Sequence, residues 1–197
     1  MSLYIRRLLR AGLVSALGFG GGVGLLIFIF ALMLGGAHAI NYALKAGIFF
    51  GLLFSILLVV VMMLLDVTVK LYLARGFTEG VWELEQTRVV EVDGTIKQIA
   101  AASRAALLSV PNVTNVIDDT DNLLARAQTG ASWRSPGEDI EVEINPVNES
   151  RWQVRCVSKP RSANVVFDYG KNFENVEIWR RQLGTSLLEA INPKPRT

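Results

Sequence analysis

The chain has 197 residues, 51% of them hydrophobic, with 20 basic and 18 acidic side chains, one histidine and one cysteine. A single cysteine excludes an internal disulfide and any multi-cysteine metal site, and with His38 as the sole histidine the polar part has no Ser-His-Asp triad, histidine base or usual zinc site. The charge is uneven, +5 around the apolar amino-terminal third and −3 from residue 76 onward, so the basic balance belongs to the apolar flanks and no nucleic-acid footprint is implied.

Residues 1–10 are short and basic, with Arg6, Arg7 and Arg10. Residues 11–37 and 46–65 contain no charged side chain. Each run is long enough for a helix to cross a hydrocarbon core, which needs about 20 apolar residues. Residues 11–75 therefore predict a two-helix transmembrane hairpin. A cleaved signal peptide is the competing expectation for the first run, through Ala37-His38-Ala39, but the run exceeds the usual apolar length of such a signal. Lys70 and Arg75 follow the second run, whereas the connecting bend holds only Lys45 and His38. Basic residues stay on the cytoplasmic side, so both termini are expected in the cytoplasm, in a bacterial inner or equivalent membrane. Asp66 and Lys70 lie four apart and are expected to pair at the inner interface; a proton-relay role for Asp66 is the sharper alternative.

Gly18 and Gly22, Gly20 and Gly24, and Gly47 and Gly51 have the spacing that lets helices approach closely in lipid. Packing between the two spans, or self-association into an oligomer, would explain them. The cluster superficially resembles a dinucleotide loop, but it lies inside an apolar run with no preceding strand, and no phosphate-cradling G-x-x-x-x-G-K-[ST] loop occurs. No cofactor is expected.

Residues 76–80 form a linker, and residues 81–197 predict a cytoplasmic α+β domain. Trp82, Leu84, Val90 and Val92 alternate, as in a half-buried strand. Thr95 and Gln98 have capping-box spacing, and Ile96, Ile99, Ser103, Ala106, Leu107 and Val110 make a helical stripe ended by Pro111. Short strands follow at 113–117 and 123–128, around an acidic turn, 118–122. Asp118, Asp119 and Asp121 in that turn could attract a divalent cation, although a solvated turn is the simpler expectation.

Ile140, Val142 and Ile144 alternate with Glu141 and Glu143, as Trp152, Val154 and Cys156 alternate with Arg151, Gln153 and Arg155. This predicts a hairpin turning at residues 145–148, with Ile144 opposite Trp152, Val142 opposite Val154, Ile140 opposite Cys156 and Glu141 facing Arg155. Cys156 falls on the apolar face and is expected to be a buried thiol. A final helix opens at Asn172, with Phe173, Val176, Trp179 or Arg180, Leu183, Leu187, Ala190 and Ile191 inward, until Asn192-Pro193 stops it before a basic tail. The domain should thus be an antiparallel sheet of four to five strands with two helices on one face. Residues 79–149 carry five basic and 13 acidic side chains and residues 150–197 nine and four, so the two halves should pair electrostatically.

Arg155, Lys159, Arg161 and Lys171, beside a helix start, could hold an anion or a lipid headgroup; alternatively Asp168 or Asn172 caps the helix and pairs with Arg155 or Lys159. In the same stretch, Arg155-Cys156-Val157-Ser158-Lys159 and Asp168-Tyr169-Gly170-Lys171-Asn172 resemble a small bacterial domain family of unknown function. That family carries an R-S-x-S-R run after an antiparallel hairpin and a D-x-G-x-N run opening the last helix. The resemblance spans about residues 88–188, departs at Cys156, Lys159 and a longer gap, and implies an α+β fold with no established activity. The expected function is that of a non-catalytic membrane protein, a subunit or assembly factor of a larger complex, meeting lipid and other membrane subunits or copies of itself. A lipid- or anion-binding module is the alternative, and a transport subunit or a carboxylate-only enzyme is a remoter one.

Overall fold

The computed structural model describes residues 2–33, 38–73, 81, 83–119, 121 and 123–191. The 76–80 linker, much of the bend, Trp82, Thr120, Asn122, the Asn192-Pro193 stop and the tail lie outside the described residues. Two compact units result, residues Met1–Thr68 and Val69–Thr197.

The first unit holds α1 (Ser2–Met33) and most of α2 (Ala39–Leu73). At 1.5 Å per residue they reach about 48 and about 52 Å, and both are long and apolar enough to cross a membrane. They run antiparallel. Tyr4 donates its hydroxyl to Asp66 Oδ2 (3.2 Å), Ser55 donates to the Gly12 carbonyl (2.6 Å), and Phe19 stacks on Phe54 with ring centroids 3.9 Å apart. Glycine makes the midpoint of this pairing possible. A β-carbon at Gly20 would fall 2.6 Å from the Gly47 carbonyl oxygen, and one at Gly51 2.7 Å from Gly20 Cα. No other residue lets backbones come this close.

The second unit contains the last turn of α2, a five-stranded antiparallel sheet in the order β1-β5-β4-β3-β2, and two helices. The strands are β1 (Gln86–Asp93), β2 (Val113–Asp119), β3 (Leu124–Thr129), β4 (Glu138–Pro146) and β5 (Arg151–Pro160); the helices are α3 (Ile96–Leu108) and α4 (Lys171–Ile191). This is the expected order of strand, helix, four strands, helix. The capping box forms as predicted: Gln98 N–H reaches Thr95 Oγ1, and Thr95 N–H reaches Gln98 Oε1. Between β1 and β5, and between β4 and β5, alternate residues enter the core, which joins Ile99, Leu107, Ile140, Val142, Val154, Cys156, Val176, Trp179 and Leu183. Trp179 rather than Arg180 therefore faces inward; the side chains of Ala190 and Ile191 are outside the described residues.

The β4–β5 register differs from expectation by two residues. Ile144 faces Val154, Val142 faces Cys156, Ile140 faces Ser158 and Glu143 faces Arg155, while Trp152 pairs with Pro146. Asn148, not Asn145-Pro146, builds the turn: its Oδ1 accepts the N–H groups of Ser150 (3.0 Å) and Arg151 (2.8 Å). The strands therefore continue two residues further, and a shift of two preserves which face each side chain occupies. Similarly, Asp118 and Asp119 belong to β2, not to a free acidic turn, and Leu84 precedes β1 in a bend. β2 is an edge strand whose pairing with β3 shifts register between Val113 and Asn115. The two electrostatic halves do meet across strands: Arg151 Nε–Asp93 3.1 Å, Arg155 Nη1–Glu143 3.1 Å and Arg161 Nε–Asp139 3.8 Å.

Candidate functional site

The mouth of α4 is where the polar side chains concentrate. Tyr169 (φ +46°) and Gly170 (φ +70°) take successive left-handed conformations, a rare placement for a tyrosine. The positive φ favours glycine at position 170, and a β-carbon there would also displace the tip of Leu73, whose Cδ1 lies 2.8 Å away. This sharp turn lets Asp168 cap the helix: Oδ1 accepts Gly170 N–H (3.3 Å), and Oδ2 accepts both the backbone N–H (3.2 Å) and the side-chain amide (3.0 Å) of Asn172. Asn172 Oδ1 accepts the Ser158 hydroxyl (2.8 Å), whose oxygen in turn accepts from Asn175 Nδ2 (3.2 Å). Lys70 Nζ lies 3.5 Å from Asp168 Oδ1, each side chain 1% exposed.

Asp168 thus caps the helix as one expectation had it, but its cation is Lys70, not Arg155 or Lys159. The reason is the alternation of β5, which turns Arg155 and Lys159 to the face opposite Ser158. Of the ten residues quoted for the family resemblance, Ser158, Asp168, Gly170 and Asn172 belong to this buried network, whereas Arg155, Val157 and Lys159 lie on the opposite face of the sheet.

The four cations proposed as an anion site do not converge. Arg155 and Lys159 share a shallow outer-face groove with Arg126, but Glu85, Asp139 and Glu141 line it too. Arg161 donates to the Thr129 carbonyl (2.8 Å) beside Asp139, and buried Lys171 pairs with Glu174 (3.3 Å) on the other face. Cys156 is buried and free, and burial pushes its thiol well above the ordinary range. Among the described residues no group of three or more histidine, cysteine, aspartate or glutamate side chains could hold a metal ion; Asp118 instead takes Arg104 Nε at 2.6 Å.

The six glycines divide. Gly20, Gly24, Gly47 and Gly51 form the close seam between α1 and α2, whereas Gly18 and Gly22 have open space where a β-carbon would stand.

Trp133, in the loop between β3 and β4, is 75% exposed. Its ring lies 5.8 Å from that of Tyr169, which stacks with Phe167 at 6.0 Å, and the Arg134 guanidinium sits 5.9 Å from the Trp133 ring while pairing with Glu174. The sequence offers no periodicity here that would pick Trp133 out; an isolated tryptophan among Ser132, Arg134 and Ser135 is the only sign.

No protein-family model and no curated protein matches the sequence. Among solved structures, a conserved protein from Geobacillus kaustophilus superposes at a TM-score of 0.34 with 7% identity, over 54% of this chain and 97% of that one. The Zhui aromatase/cyclase from Streptomyces sp. R1128 superposes at 0.30 with 10% identity, over 54% and 93%. The di-domain aromatase/cyclase StfQ of the steffimycin biosynthetic pathway gives 0.30 with 11% identity, over 55% and 51%. Superpositions this loose carry no inference about fold or activity.

Proposed function

We propose that the chain is a membrane-anchored, non-catalytic subunit or assembly factor, whose α+β domain binds another membrane-protein subunit or a second copy of itself. The observation that carries this is the exposed Trp133, set beside the half-buried Tyr169, Phe167 and Arg134. Tryptophan, tyrosine and arginine are the residues on which binding energy concentrates in protein interfaces. Arg134 is held by Glu174, so little of its side-chain entropy is lost on docking. The basic flanks Arg6, Arg7, Arg10, Lys70 and Arg75 support an inner-membrane hairpin with both termini in the cytoplasm.

The test places a photo-crosslinking amino acid at Trp133 in the full chain in native membranes. A discrete protein adduct is expected, its mass distinguishing a second copy from another subunit, and Tyr169→Ala should abolish it while Arg155→Glu leaves it intact. Labelling of lipid alone would remove the proposal.

A further inference from the structure

The two edges of the sheet are built differently. β2 shifts register against β3, whereas β1 keeps one register with β5 along its whole length and contains no proline or lysine. Natural sheets use such interruptions to keep other strands off an edge, so a regular edge without them is suited to a partner.

The direction of the β1 backbone groups follows from its register. Gly94, one residue beyond the strand, donates its N–H to the Ser150 carbonyl opposite (3.0 Å), and on the other side of β5 Val147 donates to the Arg151 carbonyl (2.9 Å). Bonded pairs alternate along an antiparallel ladder, so Val90 and Val92 turn their N–H and C=O groups toward β5. Thr87, Val89, Glu91 and Asp93 turn theirs outward. Among the described residues no backbone group bonds to that outward row, and the Thr87 carbonyl alone is taken, by Arg88 Nη1 (2.7 Å). The side chains of the same four residues lie on the outer face, where Val89 is 51% exposed.

Charge selects what can lie there. Glu91 and Asp93 share one cation, Arg151 (3.9 and 3.1 Å). At the other end of the edge Glu83 and Glu85 are exposed and in no ion pair among the described residues. They line a shallow recess with Gln86, Thr87 and Arg88, whose own charge is taken by Glu177 (2.5 Å). A second β1 laid antiparallel would bring Glu83 and Glu85 of one copy toward Glu91 and Asp93 of the other. Like charges facing each other across strands are destabilising, so a copy of this chain is a poor occupant.

We infer that the β1 edge binds an extended, lysine- or arginine-bearing segment of another protein, which joins the sheet as a sixth strand. Its main chain bonds to Val89, Glu91 and Asp93, and its cations meet Glu83, Glu85 and Glu91. Backbone bonds supply the hold and alternate side chains the choice of partner. No residue of the Trp133 patch takes part, so either surface can fail alone.

The test uses the full chain in nanodiscs of uncharged lipid and a short peptide alternating lysine with valine. On binding, amide hydrogen exchange at Val89 and Glu91 should slow about tenfold, while Val90 and Val92, already bonded to β5, stay as they were. A peptide with glutamate in place of lysine should have no effect, and Glu83→Gln with Glu85→Gln should weaken the lysine peptide about tenfold. Val89→Pro should abolish binding and keep the unfolding midpoint, because the N–H that proline lacks faces outward. N-methylation of alternate peptide amides, which needs no protein variant, should abolish binding too. Equal binding of the N-methylated peptide, unchanged binding in Val89→Pro, or protection of the same amides by self-association without peptide would each overturn the inference.

Discussion

Lys70, on the last turn of α2, and Asp168, at the mouth of α4, form an ion pair in which each side chain is 1% exposed. The two ends of that pair have unequal duties. Asp168 also accepts from Gly170 and from both nitrogens of Asn172, so its carboxylate has several donors to satisfy, whereas Lys70 contributes its charge. Breaking a buried pair from one side costs about 3–5 kcal/mol, because the remaining charge is stranded away from water. Asp168→Ala is expected to destabilise the domain by at least that much, since it removes the helix cap as well. Lys70→Met combined with Asp168→Asn should recover most of the loss. Urea unfolding followed by tryptophan fluorescence measures all three.

At the seam of α1 and α2, Gly20→Val is expected to separate the helices, since its β-carbon meets the Gly47 carbonyl oxygen, while Gly22→Val has open space and should leave them paired. A β-carbon at Gly12 would sit 3.3 Å from Ser55 Oγ, so Gly12→Cys with Ser55→Cys in a Cys156→Ser background reports the pairing as a disulfide. Its yield should fall with Gly20→Val and hold with Gly22→Val.

The β4–β5 register makes its own prediction. A double-mutant cycle on Glu143 and Arg155 should return a coupling of about 0.2–1 kcal/mol, in the range of half-exposed cross-strand pairs. The cycle on Glu141 and Arg155 should return none, because Glu141 is bonded to Arg126 at 2.8 Å on the neighbouring strand.

Cys156 should resist thiol reagents in the native protein at pH 8 and react at the rate of unfolding. Burial raises its thiol above the value it has in the unfolded chain, so the folded state holds the proton more tightly. The resulting stability is fully present below the unfolded value near 9.0 and declines as pH climbs beyond it. A denaturation midpoint that falls above pH 9 in the native protein, and falls less in Cys156→Ala, checks the sign.

Much of this architecture was legible in the amino-acid order. Period-two alternation placed Val142, Ile144, Val154 and Cys156 on one face, and Thr95 with Gln98 marked the start of α3, because both signals are local. Register was not fully legible, since one side chain, Asn148, could shorten the turn by two residues without moving any apolar group to the wrong face. The cation cluster failed for a related reason: nearness along the chain at Arg155, Lys159 and Lys171 conceals that a strand sends neighbours to opposite sides. Lys70's pairing with Asp168 depends on long-range packing that no spacing rule encodes.

The register shift in β2 bears on how closely copies of this chain can lie edge to edge. An edge strand offers unmet amides and carbonyls to any second strand that lies flat beside it. Here the pairing with β3 shifts register at Val113/Asn115, and the Asp118–Arg104 ion pair with Asp119 places charged groups at the other end. A newcomer sliding alongside would meet an irregular backbone at one end and charged groups that must be stripped of water at the other, which disfavours edge-to-edge aggregation.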